Sequence, residues 1–182
     1  MAVKGPLYLV RHLAPQVAPG ICYGRTDLPC PVDVIEAAIP ALHDQLPRGL
    51  PMYASPLRRC AGLARALAGE GVIVDARLME LDFGAWEMRA WDAIPKADIE
   101  AWAADVAGYR PGGAENVLEM AARIHLFYKD LPMGGAIVIC HAGTIRLLSA
   151  CHRGLDPGAM AQEAAARPHA IAYGEIVILA GV

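Results

Sequence analysis

Leu7-Tyr8-Leu9-Val10-Arg11-His12 is a run of four apolar residues that stops on a basic dipeptide. With Gly5-Pro6 in front of it, the run is too short for a helix and reads as a buried strand over Leu7–Val10. Taken alone, Arg11-His12 is the polar end of that strand. In a parallel sheet it would instead lie at the carboxyl edge, where open α/β folds collect their ligands. Other strand ends decide between the two. Met52-Tyr53-Ala54 reads as a short strand running through Ser55-Pro56 to Arg58, and Ala136–Cys140 as the clearest buried strand, ending on His141. Two histidines and two arginines at three strand ends make a site.

The rest of the chain fits a largely parallel sheet. Ala14 to Pro31 carries Pro15, Pro19, Gly20, Gly24, Pro29 and Pro31, which forbids regular structure and predicts a long functional loop. Asp33, with Glu36, is placed to cap a helix through Val34, Ala38, Leu42 and Leu46, which Pro40 should kink or interrupt. Ser55-Pro56 reads as N-cap and first helical residue, with Cys60, Leu63, Ala64 and Leu67 as the buried face and Gly69 as the stop. Val72–Val74 is an expected edge strand, and Trp91 to Val106 a weak helix broken at Pro95. A helix over Glu115–Leu131 presents Val117, Met120, Ile124, Phe127 and Leu131 on one face, and another runs from Thr144 to about Cys151. Ala170–Tyr173 and Glu175–Leu179 read as a hairpin around Gly174. The alternation predicts an α/β fold, a three-layer α/β/α sandwich with a mostly parallel central sheet.

The 182 residues fit a single domain, 1–182, with 55% hydrophobic and 19% charged residues. A net charge of −3 argues against nucleic acid or an anionic membrane as partner, so any cationic site must be local. Five cysteines without paired metal-ligand spacing, and no secretory or spanning apolar run, lead to the expectation of reduced thiols in a cytoplasmic protein. No metal and no cofactor is expected, and a homodimer is compatible with the sequence.

The basic cluster implies a small phosphorylated metabolite. One histidine can attack phosphorus while the other, protonated, binds phosphoryl oxygens, and the arginines neutralise charge. Arg58 falls in a helical first turn, where a cation is unfavourable unless an anion lies over the same helix start; Arg59 beside it reads as solvated. Glu80, Asp82 and Glu87 are the candidate general acids, and spacing does not choose among them. Cys140 to Arg146 has the C-x5-R spacing of cysteine phosphatases, a rival that leaves Arg11-His12 unused. A second rival is a non-catalytic phospho-ligand-binding protein, and a third is a mutase.

Leu9-Val10-Arg11-His12, Cys22-Tyr23-Gly24 with Asp27 and Pro29, Ser55 to Cys60, Glu80 to Gly84 with Trp86-Glu87, Pro111 to Glu115, and His141-Ala142-Gly143 together resemble the histidine phosphatase superfamily, which includes the phosphoglycerate mutases. The resemblance implies a phosphoglycerate mutase-like fold and a phosphatase using a phosphohistidine. It implies His12 as nucleophile, Arg11, Arg58 and His141 as phosphate pocket, and Glu80 as proton donor. Tyr23, Gly24 and Ala142 would line the substrate site. The Gly20 to Gly24 loop and the Glu80 to Glu87 run look most like α-ribazole phosphatases of cobalamin synthesis. Leu13 stands where the family has glycine after the nucleophile, and Ala14-Pro15 and Ala18 replace other family residues.

Overall fold

The computed structural model describes residues 5–166 and 170–181. One five-stranded sheet has the order β3-β2-β4-β1-β5, with β1 at Leu7–Arg11, β2 at Met52–Ala54, β3 at Val72–Val74, β4 at Ala136–Cys140 and β5 at Ile176–Leu179. β1 to β4 are parallel, and β5 runs antiparallel beside β1. β4 is buried along its whole length, as an apolar strand covered on both faces must be.

The two faces divide the strand residues by their period of two. Leu7, Leu9, Ala136, Val138 and Cys140 point to one core, against α4 (Val117–Asp130), α5 (Ala142–His152) and α6 (Pro157–Ala166). Val10, Ile137, Ile139, Met52 and Ala54 point to the other, against α1 (Val32–Gln45) and α2 (Arg58–Ala68). A third cluster of Cys22, Trp86 and Ile94 packs with Trp102 of α3 (Lys96–Ala104). The expected three-layer α/β/α arrangement is the observed one.

Several local expectations change. Residues 170–173 form no strand, because this stretch turns about Arg11 and accepts from its guanidinium at the Ile171 carbonyl, and β5 pairs antiparallel with β1. α1 begins on Val32 after Pro31, so Asp33 lies inside its first turn and makes no cap, and Pro40 is carried within a continuous helix. α2 begins two residues later than Ser55-Pro56 predicts, with Leu57 at the N-cap. α4 starts at Val117 under a complete capping box between Asn116 and Glu119. His43 is exposed, His125 and His152 are half-buried away from the cavity below, and His169 lies outside the described residues.

The long proline-rich loop is held by one carboxylate. Glu87 accepts hydrogen bonds from the amides of Gly24, Arg25, Thr26 and Phe83 and from the Thr26 hydroxyl. Burial alone would raise the Glu87 carboxyl, but the Thr26 hydroxyl and these amides outweigh it and hold it below the usual carboxylate range. The backbone adds Cys22 N–H to Arg89 O at 2.8 Å and Met88 N–H to Cys22 O at 2.8 Å. Glu87→Gln turns an acceptor-only group into one that presents an NH2 to these donors. It should cost about 2–3 kcal/mol in urea unfolding, against about 1 kcal/mol for removing the α4 cap with Asn116→Ala. Equal losses for the two variants would mean that Glu87 does not organise the loop.

Candidate active site

The parallel register pairs Arg11 with Cys140, so the residues that follow, His12 and His141, leave the sheet side by side. The ladder continues one step further through His12 N–H to Cys140 O at 3.0 Å and Ser55 N–H to Ile139 O at 3.0 Å. The two imidazoles meet edge to face with centroids 5.1 Å apart. His12 opens on a cavity of about 410 Å³ whose lining includes Arg11, Tyr23, Arg59, Glu80 and Ala142, while His141 is fully buried against the His12 ring and is not part of that lining.

His12 is almost wholly buried, and its Nδ1 lies 2.7 Å from the Leu13 carbonyl. A carbonyl only accepts, so Nδ1 carries the proton and Nε2 keeps its lone pair. Burial first, then the charges of Arg59 and Arg11, pull the His12 pKa from 6.5 down to about 3. The ring is therefore neutral and nucleophilic at ordinary pH.

His141 is fully buried at the N-cap of α5, with Nε2 2.9 Å from Ser55 Oγ and 3.5 Å from Cys60 Sγ. Burial, then Arg59 and His12, hold it well below the ordinary histidine value. The expectation of a protonated His141 thus fails: two cations and a second imidazole already crowd a desolvated space. A phosphate dianion would reverse that balance and bring a proton onto it.

The arginine of α2 that reaches this space is Arg59, not Arg58. Arg59 is fully buried, donates to the Thr26 and Gly24 carbonyls, and lines the cavity. Arg58 is outside it, paired with Asp27 at 3.2 Å while its amide donates to the same carboxylate at 2.6 Å. The anion expected over the helix start exists, but it is Asp27. Neighbouring helical residues lie about 100° apart, so only one of the two can face inward. Arg59 is four residues before Leu63, within the apolar stripe of α2, and that spacing is the signal that could have identified it.

Of the acidic candidates, Glu80 lines the cavity. One of its oxygens accepts from Leu81 N–H and the other from Gly143 N–H, each at 3.0 Å. A Cβ on Gly143 would sit 2.4 Å from the Glu80 carboxylate, so the glycine permits this approach. Glu87 is committed to the loop, and Asp82 to the Gly84 amide and Arg25. Arg123 of α4 fixes the Glu80 backbone by donating to the carbonyls of Arg77, Met79 and Glu80, and is itself held by Glu115 at 2.7 Å.

Tyr23 and Ala142 are at the cavity; Gly24 is set back, its amide on Glu87 and its carbonyl on Arg59. Cys140 packs in the α4–α6 core, where burial raises its thiol well above the ordinary value, so the C-x5-R reading loses its nucleophile. Away from Arg11, His12 and Arg59 the wall is largely apolar, with Ile21, Phe83, Trp91, Trp102, Met120 and Leu147. From sequence Ser55 reads as a helix cap, Arg146 as the arginine of the C-x5-R spacing and Tyr173 as the end of a strand, so none of the three is assigned to this site. Among the described residues no group of three or more His, Cys, Asp or Glu is arranged to hold a metal ion, and no helix is long and apolar enough to cross a membrane.

Comparison with known proteins agrees with this geometry. The family model described as "Histidine phosphatase superfamily (branch 1)" matches residues 7–172. A curated relative from Hydrogenobacter thermophilus, named "Putative phosphoserine phosphatase 2", is 26% identical over 153 residues, which is 78% of this chain and 75% of that protein. The phosphoglycerate mutase from Thermus thermophilus superposes with a TM-score of 0.72 at 27% identity, covering 96% of this chain and 92% of its own. The mycobacterial glucosyl-3-phosphoglycerate phosphatase complexed with VO3 shares the fold at a TM-score of 0.75 and 23% identity, over 97% of this chain and 93% of its own. With the family match running from the first strand through both histidines, this chain belongs to the histidine phosphatase superfamily, in its branch 1.

Proposed function

We propose that the chain is a phosphomonoesterase that works through a phosphohistidine on a small phosphorylated metabolite. The observation that carries this reading is a neutral His12 with its Nε2 lone pair free, on a ring that shares a cavity with Arg11, Arg59 and Glu80. Nε2 attacks phosphorus and the P–O bond to the alcohol breaks. Glu80 gives its proton to the departing alkoxide. In the second half a water attacks the phosphohistidine, Glu80 takes the proton from it, and the N–P bond breaks to release inorganic phosphate. Arg11, Arg59 and the newly charged His141 hold the three terminal oxygens, and the start of α5 adds its dipole. His12, Arg11, Arg59, His141 and Glu80 are the residues assigned to catalysis; Arg58 is not.

The apolar wall supports a substrate with a flat, largely apolar body. The Trp102 Nε1–H is buried without a partner and would be satisfied by an acceptor on such a body. α-Ribazole 5′-phosphate has that character and remains the named candidate. Transfer to a second hydroxyl, as in a mutase, differs only in what replaces water in the second step.

A screen over phosphorylated metabolites, including α-ribazole 5′-phosphate, phosphoserine and 3-phosphoglycerate, should release phosphate with the parent and none with His12→Ala. Equal weak rates on all of them would remove the α-ribazole assignment, and binding without release would favour the non-catalytic reading. Arg59→Gln should lower kcat/KM by about 100- to 1,000-fold, whereas Arg58→Gln should change it less than about threefold. The reverse order would return Arg58 to the pocket.

The histidines also set a pH dependence of stability. Their folded values lie below the ordinary 6.5, so the unfolded chain takes up protons that the folded chain refuses. Stability present above pH 6.5 is therefore lost as pH falls from there toward about 3, the folded value of His12. Each histidine adds up to about 1.4 kcal/mol per pH unit to that slope. Urea unfolding at pH 7, 6 and 5 should show a shallower fall for His12→Asn than for the parent. An unchanged slope would mean that His12 is already charged in the empty site.

A further inference from the structure

The turn before β5 is built around Arg11. The Arg11 guanidinium donates to the Ile171 carbonyl, and Gly174 N–H donates to Arg11 O at 3.1 Å. On the other side of the turn, Arg11 N–H donates to Glu175 O at 3.0 Å. The turn is closed on itself by Ala172 N–H to the Glu175 carboxylate at 2.6 Å. This clasp puts the Tyr173 ring 3.9 Å from the Arg11 guanidinium carbon and 5.5 Å, centroid to centroid, from the His12 ring.

The Tyr173 hydroxyl lies 2.7 Å from the hydroxyl of Tyr23, whose ring is 5.5 Å from the Arg59 guanidinium carbon. Each arginine of the phosphate end thus has one tyrosine ring on it, and the two rings are joined across the cavity mouth. Two hydroxyls carry two protons, and their mutual bond uses one. The other is a donor beside two arginines whose Nε atoms are buried with no partner. Burial, then the bond to Tyr173, raises the Tyr23 hydroxyl far above its ordinary value, so no phenolate charge opposes an incoming phosphate.

Leu13 sets the height of this turn. Its side chain is buried, and its Cδ2 lies 3.0 Å from where a Cβ on Gly174 would be. Gly174 has φ +76°, so the residue under which Leu13 fits is glycine on both steric counts. Tyr173 is one residue past the stretch matched by the family model.

We propose that Tyr173 is a substrate-contacting residue of this chain: paired with Tyr23 and propped by Leu13, it closes the phosphate end and donates a hydrogen bond to a terminal phosphoryl oxygen. The proposal rests on the reading of this cavity as a phosphate site. Calorimetry with orthovanadate as the probe, with kcat/KM on an aryl phosphate beside it, tests both. Tyr173→Phe should weaken orthovanadate binding and lower kcat/KM about three- to tenfold with the unfolding midpoint unchanged. Tyr173→Ala should lose more, since Arg11 also loses its ring. The Tyr23→Phe/Tyr173→Phe double variant should match Tyr173→Phe alone, because one bridge is removed in both. Parent-like orthovanadate binding and kcat/KM, within twofold, in Tyr173→Phe would overturn the proposal while leaving the phosphatase reading intact. That variant removes a single hydroxyl and decides the matter even if Tyr173→Ala does not fold. A parent that neither binds orthovanadate nor releases phosphate would overturn the phosphatase reading and this proposal together.

Discussion

The parallel pairing of β1 with β4 is the constraint on which everything else rests. With Arg11 opposite Cys140, the chain must release His12 and His141 together at one edge. A shift of one residue would turn Leu7 and Leu9 away from their core and carry His12 out of reach of His141. The all-apolar core on both faces enforces this register, so the hydrophobic pattern of two five-residue strands fixes the separation of two imidazoles.

Electrostatics then follow from crowding. Arg11, Arg59 and His12 line a space that Glu80 borders and that, among the described residues, has no other carboxylate in its lining, and the buried His141 lies against His12 within reach of the same charges. Keeping both imidazoles neutral relieves the excess of positive charge, and the same neutrality leaves His12 a lone pair with which to react. Under the proposed function, an entering phosphate supplies the missing negative charge.

The fold was legible because its strands are short, apolar and bounded by glycine and proline, and because their polar ends share one chemistry. His12, Arg11 and His141 were legible for the same reason, as ends of those strands, whereas Glu80 was singled out only by the resemblance to the family, since spacing leaves it equal with Asp82 and Glu87. Arg59 was not, because adjacent arginines at a helix start look alike until the apolar stripe of α2 is followed back to them. The 170–179 segment misled because a glycine between two apolar runs has the pattern of a hairpin, whereas the first run is spent wrapping Arg11. Glu87 was one of three similar acids; its role as the anchor of a distant loop depends on a meeting of backbone amides that spacing does not reveal.

The cavity's two halves hang on different supports. The end that carries Arg11, His12 and Arg59 belongs to strand termini and α2, locked by the sheet, while the apolar wall takes Phe83 and Trp91 from the segments about Glu87, Trp102 from α3, Met120 from α4 and Leu147 from α5. Trp91 and Trp102 therefore hang on segments other than those that carry the imidazoles and guanidiniums. Exchanging Trp91 or Trp102 for other side chains alters the shape offered to the leaving alcohol without moving an imidazole or a guanidinium. Under the proposed function, a scaffold divided in this way can be retargeted from one phosphate ester to another by editing a single rim, with the histidines and arginines left in place.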